Sequence, residues 1–222
     1  MLSVIAGSAD VISFLGLGGL FVAHITGNLV LLAAHLVTGT WVSVALLLSV
    51  SLFILVLGLT RLLAAGLEAI GVASLRPLLL YLQFLLLVGF LALCVPAGRR
   101  IDPNAGTAIL AGMLGVGAMA VQNALVQLSL QGAPTTAVMT TNITRFTLDV
   151  GEVLLRRDPA GTAQAHRRAA RTWPAIVGFT AGAALGAACY AAAGLWSLAL
   201  PAGLALLALA ISLASSPDDG QR

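Results

Sequence analysis

Residues 42–65 read VSVALLLSVSLFILVLGLTRLLAA, a run whose one charge is Arg61 and which contains no proline. As a helix rising about 1.5 Å per residue, a run of this length crosses a hydrocarbon core of about 30 Å. It shows no period-two alternation, so a closed barrel, the other structure that satisfies its own backbone in lipid, is not indicated. The stretch therefore sets the class expected of the chain: an all-α, polytopic transmembrane helix bundle.

Working outward, similar runs occur at 2–18, 20–38, 77–97, 107–131, 134–155, 172–193 and 195–214. Eight spans are expected, or six to eight overall, because the first two runs are short and meet at Gly16, Gly18 and Gly19, which suit either a tight turn or a re-entrant loop. The 222 residues are 59% apolar and 9% charged, with a mean hydropathy of +1.04. Soluble domains carry about a quarter charged residues, so residues 1–222 read as a single transmembrane domain with no soluble unit large enough to act alone. No basic leader precedes the first run, which is expected to stay in the mature protein.

The net charge of +3 comes from eleven arginines and no lysine. Arg156, Arg157, Arg167, Arg168 and Arg171 fall in the polar stretch 156–171, expected as a cytoplasmic loop by the positive-inside rule, which accounts for the cluster without a nucleic-acid partner. With eight spans, Arg99, Arg100 and Arg222 share that side, Arg61 and Arg76 lie opposite, and both termini are cytoplasmic. Trp41, Trp173 and Trp196 sit near expected span ends, as interfacial aromatics do. Cys94 and Cys189 lie in apolar runs without CxxC spacing or His neighbours, so neither a disulfide framework, a metal site nor a cofactor is expected.

An internal repeat organises the rest. Asp10-x8-Gly19 matches Asn123-x8-Gly132 at an offset of 113 residues, and Thr26-Gly27-Asn28 matches Thr140-Thr141-Asn142 at 114. Gly58 and Gly66 match Gly186 and Gly194 at 128, the extra length being the arginine-rich stretch. The chain reads as two halves, 1–100 and 105–216, of four spans each. Loop charges favour halves of the same orientation, related by an axis along the membrane normal, whereas a re-entrant first hairpin would allow inverted halves.

Residues 9–28, ADVISFLGLGGLFVAHITGN, strongly resemble the opening of the YoaK family, also called the DUF1275 family, of bacterial membrane proteins. Residues 122–126, QNALV, and 134–142, PTTAVMTTN, are similar to that family's second-half motifs. The resemblance covers nearly the whole chain. It implies a small multi-pass protein of the bacterial inner membrane and no particular chemistry. Thr141 departs from the pattern, standing where a Gly often follows the Thr.

A carboxylate at a helix centre in lipid is disfavoured by about 2.5–3.5 kcal/mol, so Asp10 needs a partner, a cavity or a proton. His24 and Asn28, at i and i+4, would share one helix face with Thr26 nearby. Gly27 and Pro134 suggest discontinuous helices, tolerated at membrane depth where backbone is buried or lines a wet cavity, and would gather Thr26, Asn28, Thr140 and Asn142 around one volume. Gln122 and Asn123, with Thr136, add groups that suit a neutral or zwitterionic ligand. The substrate-binding candidates are thus Asp10, His24, Thr26, Asn28, Gln122, Asn123, Thr136, Thr140 and Asn142. Arg145 and Asp149, at i,i+4, read as an internal ion pair or a gate. Gly182-x3-Gly186 offers a face for close helix packing, either within the chain or in a homodimer.

These features favour a transporter or channel for an unidentified small solute, with its site between the two repeats. The alternatives are a non-catalytic scaffold, whose polar groups would be helix glue, and an intramembrane enzyme. The sequence lacks G-x-S-x-G, H-E-x-x-H and a phosphate loop, so no enzymatic activity is expected.

Overall fold

The computed structural model describes residues 1–39, 43–72, 74–97, 101–129, 134–136, 138–155 and 158–215. Trp41, Arg99, Arg100, Gly132, Arg156, Arg157 and Arg222, to which the sequence assigned boundaries or sides, lie outside the described residues. The rest forms eight α-helices: α1 (Leu2–Gly16), α2 (Ile25–Thr38), α3 (Val44–Ala69), α4 (Arg76–Cys94), α5 (Gly106–Ser129), α6 (Met139–Leu155), α7 (Pro159–Ala193) and α8 (Ala199–Ala214). Tight 3-10 turns follow α4 at Val95–Ala97 and α7 at Gly194–Leu198.

Among the described residues, four helical stretches are long and apolar enough to cross a membrane: Val44–Ala69, Arg76–Ala97, Gly106–Ser129 and Pro159–Ala214. Helices α1 and α2 are apolar but shorter. Two expectations change here. Of the expected loop 156–171, the residues from 159 onward are helical: Asp158 caps a helix by accepting the Ala160 and Gly161 N–H groups at 3.2 and 2.8 Å, and Pro159 fits its first position. The resulting α7 has 35 residues and is about 52 Å long, well beyond a hydrocarbon core. Helix α6, expected as the sixth span, instead carries Arg145, Asp149 and Glu152 and pairs with the arginine-rich half of α7.

Contacts fix the direction of every helix. Gly18, just past the end of α1, meets Pro103, just before α5, while Leu2 at the start of α1 accepts a hydrogen bond from Gln122. Helices α1 and α5 are therefore antiparallel. Helix α7 runs parallel to α1: Gly178 faces Ser3, Gly182 faces Val4, Gly186 faces Ser8, and the Tyr190 hydroxyl donates to the Leu15 carbonyl. A Cβ on Gly182 would stand 2.3 Å from the Val4 carbonyl oxygen, so the glycines are what allow this approach. The G-x-x-x-G face thus joins the two halves of one chain.

Helix α3 runs parallel to α5, with the Ser43 hydroxyl donating to Pro103 O at one end and Thr60 and Val121 lining one groove toward the other. Helix α4 is antiparallel to α5, placing Gly89 by Leu114 and Gln83 by Gln122. Helix α8 returns beside α4, so that Ile211, Arg76 and Leu2 line one cavity. Helix α2 is antiparallel to α3 through Asn28 and Ser49, as α6 is to α7 through Asp149 and Arg168. Accordingly α1, α2, α4 and α7 point one way, and α3, α5, α6 and α8 the other.

Four alternating spans per half would require α1 and α2 to oppose each other. They run the same way because the chain turns at the end of α1 and climbs back along it before α2 begins. Arg61 and Arg76 are corrected too. Arg76 lies beside Met1 and Leu2, as does Arg171, so the end of α3 and the start of α4 share a side with the arginine-rich half of α7.

Candidate functional site

The reversal after α1 uses Gly18 and Gly19, whose φ angles of 68° and 89° suit glycine above other residues. Asp10, 2% exposed in the middle of α1, holds the returning strand of chain. Its Oδ1 accepts the Ala23 N–H at 2.7 Å and the His24 N–H at 3.3 Å, and its Oδ2 lies 2.5 Å from His24 Nδ1. Asn28 holds the same segment from the other side: Oδ1 accepts the Phe21 N–H at 2.9 Å, while Nδ2 donates to Phe21 O at 2.8 Å and Ser49 Oγ at 3.0 Å. Buried non-helical backbone thereby finds partners that water would otherwise supply.

His24 and Asn28 do not share a face. His24 is the residue before α2 rather than part of it, and its ring packs edge-on against Phe179 of α7 at 5.1 Å. A cavity of about 450 Å³ opens here, lined by Asp10, Phe21, His24, Thr26, Val30 and Phe179 among others. Asn28 is fully buried and not part of its lining.

The second-half motif has a related local geometry. Asn142 Nδ2 donates to the Thr135 carbonyl at 2.7 Å, the same seven-residue step back that Asn28 takes to Phe21. Gln122 Nε2 donates to Thr136 Oγ1 at 3.0 Å and Leu2 O at 3.2 Å, and its Oε1 accepts from Gln83 Nε2 at 2.7 Å. Asn123 donates to Met119 O within its own helix, and Thr140 is exposed.

The expected single volume is not formed. Asp10, His24 and Thr26 line one cavity, and Asn142, Arg145 and Asp149 line another. The antiparallel relation of α1 and α5 is the reason, since it carries the second motif to the opposite end of the bundle. Nor does Asp149 pair with Arg145. Its carboxylate binds Arg168 of α7 at 2.7 Å, because a facing helix offers a guanidinium in line, whereas Arg preceding Asp by four residues is the weaker order within one helix.

Four contributing residues were not among the sequence candidates: Ser49, Gln83, Phe179 and Arg168. Gln83 had a signal, being the sole amide in α4, amid the apolar run that follows Tyr81. Phe179 had none, since a phenylalanine in an apolar run is ordinary.

Long apolar helices and a buried carboxylate pinning broken backbone define a multi-helix membrane protein. A family model described as "Protein of unknown function (DUF1275)" matches residues 1–211, and the chain belongs to that family. No curated protein and no solved structure matches it at a significant level.

Proposed function

We propose that the chain is a non-enzymatic transporter or channel for a small solute, residing in the bacterial inner membrane with both termini cytoplasmic. The observation that carries this reading is the Asp10–His24 pair facing a 450 Å³ cavity where the chain breaks between α1 and α2. Phe179 closes that cavity from the other half of the chain, so the site lies between the halves as transporter sites commonly do.

The helix directions support an inverted repeat. Each of α1–α4 opposes its counterpart among α5–α8, and neighbours are exchanged in step: α1 packs on α7 and α8 as α5 packs on α3 and α4. In this reading the axis lies in the membrane plane, and each half crosses three times. Six crossings result, with α6 and the start of α7 outside the hydrocarbon. Arg61, Arg76, Arg145, Arg167, Arg168 and Arg171 then share the side of the N-terminus, consistent with a cytoplasmic location.

The test is flux of neutral and zwitterionic solutes into proteoliposomes. Asp10→Asn and His24→Ala should each lower a demonstrated flux at least tenfold while the protein stays folded. Unchanged flux in both variants would sink the proposed pathway. A second reading, a scaffold, is favoured by one observation: the amide nitrogens of Asn28, Gln122 and Asn142 all donate within the protein, as helix glue would. It predicts no flux for any solute tried.

A further inference from the structure

A larger cavity, about 540 Å³, lies away from the Asp10 site, where α6 and α7 meet at the cytoplasmic end proposed above. Its charged lining is Arg145, Asp149, Glu152, Arg168 and Arg171. Arg168 donates to Asp149 at 2.8 Å through Nε and to Glu152 at 3.1 Å through Nη2, so both carboxylates are engaged by one guanidinium. Among the described residues Arg145 and Arg171 have no ion pair.

The lock positions the free pair. Arg145 lies four residues before Asp149 on α6, and Arg171 three residues after Arg168 on α7. In an antiparallel pair these two steps lead in the same direction along the hairpin, toward the bundle, so both guanidinium groups line the same hollow. The locked trio carries one net negative charge and the free pair two positive ones, leaving a surplus that favours an anion. Guanidinium forks match the oxygens of phosphate and carboxylate, and phosphate presents enough oxygens for two of them.

The level in the bundle adds to this. Arg171 also lines a second cavity with Met1, Leu2 and Ser3 at the start of α1, and the next-but-one residue, Trp173, is 49% exposed as interfacial tryptophans are. We propose that the α6–α7 cavity binds a phosphate-bearing anion, held by Arg145 and Arg171 and prepared by the Asp149–Arg168–Glu152 lock. The phosphate belongs either to a lipid headgroup or to a free solute.

The experiment titrates the purified full chain at constant ionic strength with inorganic phosphate, following thermal stability. In parallel, the chain is incorporated into phosphatidylcholine bilayers with and without phosphatidylglycerol, and retained lipid is counted by mass spectrometry. One probe or both should bind. Arg145→Gln and Arg171→Gln should each weaken binding about tenfold, as expected for loss of a charge-assisted hydrogen bond, and the double variant should abolish it. Arg167→Gln, an exposed arginine not lining the cavity, should leave binding unchanged. Both arginines are exposed, so the variants should fold, and Arg145→Lys and Arg171→Lys, which keep the charge but lose the fork, should bind with intermediate affinity. Binding of phosphate alone identifies a free anion, and of phosphatidylglycerol alone a headgroup. The proposal is overturned if neither probe binds, or if Arg167→Gln loses as much as the cavity variants.

Discussion

Asn28 illustrates how one side chain can decide whether a helix breaks. Its carboxamide mimics a strand partner for Phe21, giving and receiving a hydrogen bond at 2.8 and 2.9 Å, and a third bond ties it to Ser49. Removing a partner from a buried donor or acceptor is disfavoured by about 1–3 kcal/mol per group. Asn28→Ala should therefore destabilise the protein by about 2–5 kcal/mol, measured by denaturant unfolding in detergent. Ser49→Ala removes the bond to Asn28 between helices and the hydroxyl's own donation to the Leu46 carbonyl within α3, leaves the Phe21 backbone held, and should shift stability by about 0.6 kcal/mol. Equal effects would mean that Asn28 acts through Ser49 and not through the backbone. Asp10 differs in kind, because Asn at that position can still accept the Ala23 N–H. Asp10→Asn should thus keep most of the stability that Asp10→Ala loses, separating the role of the charge from that of the acceptor.

At the scale of elements, the α1–α7 contact holds the two halves together, and it depends on backbone approaching backbone. A Cβ on Gly7 would lie 2.3 Å from Phe179 O, and one on Gly182 2.3 Å from Val4 O, atoms that have no rotamer to escape into. Gly7→Ala and Gly182→Ala should each destabilise by about 1–3 kcal/mol through overpacking. Gly58→Ala, where a Cβ meets nothing within 4 Å, is the matched control and should be neutral or stabilising. The sequence announced Gly182 and Gly186 as a packing face but not its partner, because spacing along one helix carries no information about the surface opposite. Helix α6 departs from the expected sixth span for a related reason. Its Leu148, Leu154 and Leu155 fill an apolar run, but the decisive fact is that Arg168 waits across the hairpin for Asp149.

For the whole molecule, hydropathy made the helices legible, and their order along the chain agrees with the runs read from sequence, since an apolar run in lipid has little choice but to be helical. Direction was not legible. The tripeptide Thr26-Gly27-Asn28 marks a helix start, yet whether the chain before it crosses or climbs back depends on Asp10 accepting the Ala23 N–H, a contact spanning thirteen residues. That one contact separates six crossings from eight, and single-cysteine labelling decides between them. In a Cys94→Ala, Cys189→Ala background, Glu68→Cys, Asn104→Cys and Asp158→Cys report the connections after α3, before α5 and before α7. Six crossings place Glu68→Cys and Asp158→Cys on the cytoplasmic side, shielded from an impermeant maleimide in intact cells, and Asn104→Cys outside, where it should label. Eight crossings reverse the first two of the series and leave the last unchanged: Glu68→Cys labels, while Asn104→Cys joins Asp158→Cys in being shielded. Labelling at Glu68→Cys without labelling at Asn104→Cys would therefore remove the inverted repeat, and with it the reason for seeking a solute site between the halves.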